Sequence, residues 1–393
     1  MTHRIPYPAN RGDRIRALNM IEFLSKFSDV YLGSAADEPW DADQVSSLEK
    51  LCKEVQVFRL HPQARWLRAL NQFAVGNSAT QGAFYSQQLA KQVNIWTSQQ
   101  FDAAILFCSS MGQYLGHFKV RPKKIVVDLV DVDSQKWSDY AQKSSIPKKW
   151  LYHTESVRID RLEKRLAATV DSTIVVSSEE AQLYSSRHPG LSAIAIGNGV
   201  DYQYFSPDCG VAPAAQPSGP ASPKLVFVGV LDYLPNAQGM QWFCRDILPS
   251  IRQALPNVSL SIVGRNPPPE VQALGQLPGV TVIGPVPDVR PHVLAADIAI
   301  APLQIARGVQ NKVLEALSCG KPVVATPQAA TGIECLDGIS VADNASEWVA
   351  AIRELLNPEI YTKKSSAARK QIVQKYSWDS QLAPLLPLLG VGL

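Results

Sequence analysis

Gly308, Lys312 and Glu315 lie in the segment ARGVQNKVLEALSCGKPVVAT, from Ala306 to Thr326, and their spacing suits an anionic group such as a diphosphate. The apolar positions predict a helix over about Val309 to Cys319, stopped by Gly320 with Pro322 two residues on. Free N–H groups at that helix start favour negative charge, and Arg307 and Lys312 stand beside them. Glu315, about one turn further along, can accept hydrogen bonds from two neighbouring hydroxyls.

Such a helix must be carried by a strand, and short apolar runs supply it. KLVFVG, LSIVG, VTVIG, DIAIAPL and KPVVAT alternate with helix-length segments in the second half of the chain. VYLGS, VQVFRL, AAILFCSS, KIVVDLV, STIVVSS and AIAIG do the same in the first half. Continuous β-branched runs of this kind read as buried strands of parallel sheets. The expected fold class is therefore α/β, with two Rossmann-like doubly wound domains over 1–205 and 224–375. SPDCGVAPAAQPSGPASP, from Ser206 to Pro223, is rich in Pro, Ala, Gly and Ser and reads as the linker. No tandem repeat is evident.

The first domain begins unusually. Helical periodicity starts at Ile15 and recurs at Leu18, Ile21 and Leu24, after the turn-rich PYPANRGD. A glycine loop of a doubly wound sheet normally follows a buried strand, yet only Met1 to Ile5 precede this one. The leading strand is read as missing or stunted, with its remainder expected in frame upstream.

Composition excludes several classes. The 393 residues are 46% hydrophobic and 19% charged with a formal charge of +3, enough for two or three domains at roughly 100–200 residues each. No run approaches the roughly 18 apolar residues of a membrane span. His3, Arg4, Asn10, Arg11 and Asp13 leave no apolar signal-peptide core, so a cytoplasmic location is expected. Six cysteines without a Cys-x-x-Cys pair read as reduced thiols, and no metal site is expected. The positive excess lies in the first 205 residues and is too small to argue for nucleic acid.

The segment around Glu315 resembles the donor site of retaining glycosyltransferases of the B fold, family 4. In their pattern a Glu, seven residues and a second Glu precede Ala and then Gly-x-Pro-Val-Val-Ala. Glu315, Ala316, Gly320, Pro322, Val323, Val324 and Ala325 match its second half, whereas Arg307 replaces the first Glu. GNGVDYQYF, from Gly197 to Phe205, is similar to the family's hinge signature. HRIPYPANRGDRIR, DLVDVDSQKW, FVGVLDYLPN and ARGVQNKVLEA together resemble the subgroup associated with bacterial exopolysaccharide and exosortase loci. In that subgroup Arg at position 307 is the usual form.

The resemblance implies a hexose transfer from a nucleoside diphosphate sugar, with retention, to a growing and lipid-linked exopolysaccharide acceptor. It implies no resident cofactor; the nucleotide sugar is a substrate. Arg307 and Lys312 would offset the leaving diphosphate and Glu315 would hold the ribose, with Gly12, Arg14, Asn236, Gly308 and Asn311 completing the donor contacts. The family's usual basic pair is missing from the loop Val230–Asn236, which raises the burden on Arg307 and Lys312. Gly12 would approach the phosphates, and Arg14 or Arg16 would face the cleft. Asp131 or Asp133 would stand where the family often has His, with helix capping as the other reading of both; Asp131 is taken as the catalytic candidate. The first domain would bind the acceptor, and residues 376–393 would form a helix crossing back to it. His3, His153 and His188 carry no motif support.

Two basic and aromatic clusters, ARWLRAL and KKWLYH, read either as solvated helix faces or as peripheral contacts with the inner leaflet. A nucleotide-sugar epimerase of the same fold and a non-catalytic partner subunit are the rival functions. A dinucleotide oxidoreductase is excluded, because neither sheet carries Gly-x-Gly-x-x-Gly after its first strand.

Overall fold

The structure is a computed structural model that describes residues 1–142, 144–215, 223–306, 308–334 and 336–391. The chain divides into two compact units, Met1–Gly197 with Leu382–Leu393, and Asn198–Gln381.

In the first unit β1 (Tyr31–Ala36) pairs with β2 (Glu54–Arg59). β3 (Ala103–Phe107), β4 (Lys124–Val130), β5 (Ser172–Val175) and β6 (Ile194–Ala195) follow one another in a second group, and every pairing is parallel. Thr2 joins the two groups, forming parallel bridges to Ser34 and to Phe107. Its N–H donates to Gly33 O at 2.9 Å, and its carbonyl accepts from Ala35 N at 3.1 Å. Thr2 is thus the bridging residue between β1 and β3. Val126, Val127, Ile174 and Val175 bury their side chains as a sheet covered on both faces requires. Gly33 admits a helix against β1, since a Cβ there would lie 2.8 Å from Leu89 Cδ1.

The second unit has a six-stranded parallel sheet of β7 (Lys224–Val228), β8 (Ser259–Val263), β9 (Val280–Ile283), β10 (Ile298–Ala301), β11 (Val323–Ala325) and β12 (Ile339–Val341). Their spatial order is β12-β11-β10-β7-β8-β9. The α/β class and the doubly wound parallel sheets agree with the sequence reading. The three-residue edge strand β12 was not anticipated.

Two boundaries differ from expectation. The units divide between Gly197 and Asn198, ahead of the expected boundary at 205, and the start of the Pro-rich stretch packs on the second unit. Val200 N donates to Tyr376 O at 2.7 Å, and Arg369 Nη1 donates to Phe205 O at 2.9 Å and to Ser318 O at 2.5 Å. Ala214 N reaches Pro291 O at 2.9 Å, so this stretch is fastened by backbone hydrogen bonds and not left as a free tether. Residues 216–222 of the expected linker lie outside the described residues. The expected terminal helix is instead two short pieces, Trp378–Leu382 and Leu385–Leu388. Pro384 lacks the N–H that would continue the first, and buried Leu385, Leu386 and Leu389 anchor the end in the first unit.

Candidate functional site

In the second unit the winding reverses between β7 and β10, and the loops leaving the carboxyl ends of these two strands converge there. Open α/β sheets bind ligands at such a switch point. The loop after β7 leads into the helix Leu234–Trp242, and the loop after β10 leads into the helix Asn311–Ser318. Asn236, buried on the first helical turn, donates from Nδ2 to Val230 O at 2.8 Å and so closes its own loop. Its Oδ1 accepts from Lys312 Nζ at 2.6 Å. The ammonium also lies 4.7 Å from the centroid of the Phe227 ring, a favourable place for a cation.

The loops are held from behind. Thr326 is fully buried; its hydroxyl donates to Leu303 O at 2.6 Å and accepts from Ala329 N at 3.3 Å. Gly239 lets the first helix cross the loop after β10, because a Cβ there would collide with Pro302 O. Ser318 Oγ donates to Phe205 O at 2.7 Å, tying down the far end of the second helix.

That second helix begins at Asn311, two residues later than the predicted Val309. Gly308 takes a left-handed φ of 60° and Gln310 is extended, so the helical hydrogen bonds cannot start earlier. Gln310 Nε2 donates to Gly308 O at 3.2 Å. Among the described residues no side chain caps the helix start, and Asn311 Oδ1 is buried without a hydrogen-bond partner. A buried acceptor in this state is open to an incoming donor.

Burial pushes the Lys312 ammonium down to about 7, with Glu315 opposing. Burial pushes Glu315 up to about 7, with Lys312 opposing. Each therefore changes charge near neutrality, and an arriving phosphate favours the charged lysine. Asn236, Gly308, Asn311, Lys312 and Glu315 are thus gathered on two neighbouring loops and their helices. Arg307 lies outside the described residues.

The candidates of the first unit are distributed differently. Gly12 is exposed and opens the helix Gly12–Leu24, with nothing within 4 Å of a Cβ built on it. Arg14 is buried and engaged by Glu38 at 2.6 Å. Arg16 is fully buried against Asp128 at 2.7 Å, so this arginine is a core residue and does not face a cleft. Asp131 is half-buried in the loop after β4, and Asp133 opens the helix Asp133–Gln142. Two N–H groups at that helix start, those of Val132 and Ser134, are met by Glu180 at 2.8 Å and Glu163 at 3.1 Å. Burial pushes Asp133 up to about 7, with Glu163, Asp131 and Glu180 adding to the shift and Lys136 opposing it.

Sequence reasoning sets His3 aside and reads Cys108 only as a reduced thiol. Both follow strand ends at the reversal between Thr2 and β3, where His3 Nε2 lies 3.9 Å from Cys108 Sγ and 3.4 Å from Asp13 Oδ2. Burial opposes ionisation of Asp13, yet His3, Arg11 and Arg4 hold its carboxyl well below the usual range. Cys108 and Val130, at the ends of adjacent strands, take left-handed φ values of 77° and 68°, and strain of this kind clusters at functional sites. The signal in the sequence was the arginine-rich turn from His3 to Asp13. His188 is buried against Glu163 at 3.2 Å. With Asp160 these groups converge within 4.8 Å, but Asp160 already pairs with Lys164 and Arg187, and Glu163 accepts from Ser134 Oγ.

Residues 222–358 match the family model of glycosyl transferases group 1. A phosphatidyl-myo-inositol mannosyltransferase of Propionibacterium freudenreichii is 27% identical over 232 residues, 56% of this chain and 56% of that protein. The chain thus matches only about half the length of that relative. Among solved structures, sucrose-phosphate synthase from Thermosynechococcus elongatus superposes with a TM-score of 0.63 at 15% identity, covering 99% of this chain and 96% of the other. HepE of Anabaena, solved in complex with UDP and glucose, gives 0.62 at 16% identity and 95% coverage of both chains. The fold is that of the B-type glycosyltransferases, and the comparisons support a glycosyltransferase. Among the described residues no helix is long and apolar enough to cross a membrane.

Proposed function

We propose that the protein is a retaining glycosyltransferase of family 4 that moves a hexose from a nucleoside diphosphate sugar to a growing, lipid-linked exopolysaccharide acceptor. The observation that carries the proposal is the meeting of Lys312 and Asn236 at the switch point, beside an uncapped helix start. In this reading the helix N–H groups receive the diphosphate side of the donor, and Asn311 Oδ1 accepts from one of its hydroxyls. Glu315, which has no hydrogen-bond partner among the described residues, accepts from the ribose hydroxyls. Asn236 holds the Lys312 ammonium in place before the substrate arrives.

As the sugar–phosphate bond breaks, charge accumulates on the leaving diphosphate. Lys312, charged by its approach, and Arg307 would stabilise that charge more strongly in the transition state than in the ground state. The diphosphate itself would accept the acceptor hydroxyl proton in a front-face displacement, with no protein nucleophile. The first unit would take the acceptor, with Asp131 or Asp133 near the reacting sugar. The mannosyltransferase relative and the UDP-bound neighbour support a nucleotide-sugar donor.

Incubation of the full chain with labelled UDP-, GDP- and ADP-sugars tests this reading, with the anomeric configuration of the product read by NMR. Transfer with retention, or slow donor hydrolysis, is expected. A changed sugar without transfer would establish the epimerase, and nucleotide binding without any turnover would establish the partner subunit.

A further inference from the structure

In the first unit, two helices each leave several large apolar residues facing solvent. On Pro62–Ala74, Trp66 is 71% exposed, and Leu67 and Leu70 are nearly as open. Residues 66, 70 and 73 follow one another at helical spacing and so share one face. On Lys148–Ala167, Trp150 is 63% exposed and Leu151 is also exposed, with Ile146 just before the helix at 83%. The Phe73 and Trp150 rings meet edge to face at 6.2 Å, which makes the two faces one continuous patch.

The patch sits on a rigid base. Arg158 stacks on Phe73 at 3.9 Å and donates from Nη1 to Phe73 O at 2.6 Å and Asn77 O at 2.9 Å. Glu155, buried on the same helix, accepts from Ser78 Oγ at 2.6 Å and from the N–H groups of Ala79 and Thr80 at 2.9 Å each. The aromatic side chains therefore stay outside by construction. An exposed apolar surface of this kind, held open, marks an interaction site.

Charge decides what the patch faces. No Asp or Glu occurs between Glu54 and Asp102, whereas Arg59, Arg65, Arg68 and Lys91 do. Exposed Lys148 and Lys149 stand directly before Trp150. Exposed tryptophans and leucines, with two lysines before Trp150 and no acidic residue on the first helix, match a surface that is apolar below and anionic above. We infer that this patch docks the protein on an anionic lipid membrane, with Trp66, Leu70 and Trp150 entering the headgroup–acyl boundary and Lys148 and Lys149 meeting the headgroups. This rests on no step of the sugar transfer.

The test uses the full chain without donor or acceptor, mixed with vesicles of phosphatidylcholine alone or of phosphatidylcholine with phosphatidylglycerol. Binding is followed by co-sedimentation and by quenching of tryptophan fluorescence with brominated lipid. The mixed vesicles should bind at least tenfold more tightly, and added salt should weaken the difference. Lys148→Glu with Lys149→Glu should remove the preference, since each lysine near the surface contributes about fivefold. Trp66→Ser with Trp150→Ser should lower binding to the mixed vesicles about tenfold or more and abolish the quenching, while circular dichroism and nucleotide binding stay as in the wild type. Absent binding, or binding unchanged in both pairs of variants, overturns the inference. So does a dimer in vesicle-free solution that the tryptophan variants dissociate, because a second copy would then cover the patch. Failure here leaves the transfer reaction standing, because that reaction is read in a separate assay.

Discussion

Arg16 and Asp128, 112 residues apart in the chain, form an ion pair at 2.7 Å in which neither side chain touches solvent. The other Asp128 oxygen accepts from Val130 N at 2.9 Å, so the pair also holds the left-handed turn that ends β4. Arg16→Ala leaves a carboxylate buried without its cation and should cost about 3–5 kcal/mol of stability in urea unfolding. Arg16→Met combined with Asp128→Asn should cost less than Arg16→Ala, because no uncompensated charge remains and Val130 keeps its acceptor.

Lys312 and Glu315 give the second unit a dip in stability near neutrality. Glu315 is raised from its ordinary value to about 7, so between about 4.5 and 7 the native state holds the extra proton and stability falls as pH rises. Lys312 is lowered to about 7, so between about 7 and 10.5 the unfolded chain holds the extra proton and stability climbs again. Urea midpoints measured on either side of neutrality should show the dip, and Lys312→Met with Glu315→Gln should flatten it.

The same lysine predicts proton uptake on ligand binding. A nucleoside diphosphate favours charged Lys312, so binding at about pH 8 should draw a proton from the buffer. Calorimetry in two buffers of different ionisation enthalpy measures it, and Lys312→Met should abolish it.

Turnover should separate charge stabilisation from donor affinity. Lys312→Ala and Arg307→Ala should each lower it by roughly two to three powers of ten, the loss typical of one preorganised charge stabiliser. Glu315→Gln should act mainly on the Michaelis constant, because ribose hydroxyls carry similar charge in the ground and transition states. Arg307→Glu should not rescue activity. Wild-type turnover in both alanine variants would place the phosphate contact elsewhere.

Residues 198–381 should fold alone and bind UDP or GDP, whereas a fragment beginning at Pro223 should be less stable. The longer piece keeps Val200 on Tyr376 and Phe205 on Arg369, contacts that the shorter one loses. Thermal unfolding and calorimetry on the two fragments check both statements.

Eleven of the twelve strands among the described residues were legible as short apolar runs, most of them rich in β-branched residues. β12 escaped because ISV is too short to show any period. That Lys312 and Glu315 share one helix was legible from local spacing. The partnership of Lys312 with Asn236 was not, since it spans 76 residues and is made by loop convergence. Arg14 and Arg16 look equivalent in the sequence, and only the three-dimensional path of β4 shows that one of them belongs to Asp128. The Pro-rich stretch reads as a free linker because its anchor, Ala214 N on the Pro291 carbonyl, is made by backbone atoms that composition does not reveal.

The single bridging residue Thr2 makes the first sheet uneven in its resistance to local unfolding. β4 exchanges hydrogen bonds with full neighbouring strands on both sides, whereas β1 has β2 on one side and chiefly one residue on the other. The β1–β2 ribbon is accordingly a separate cooperative segment that opens at lower free energy than the rest of its sheet. In hydrogen exchange the amides of Tyr31–Ala36 should lose protection before those of Lys124–Val130.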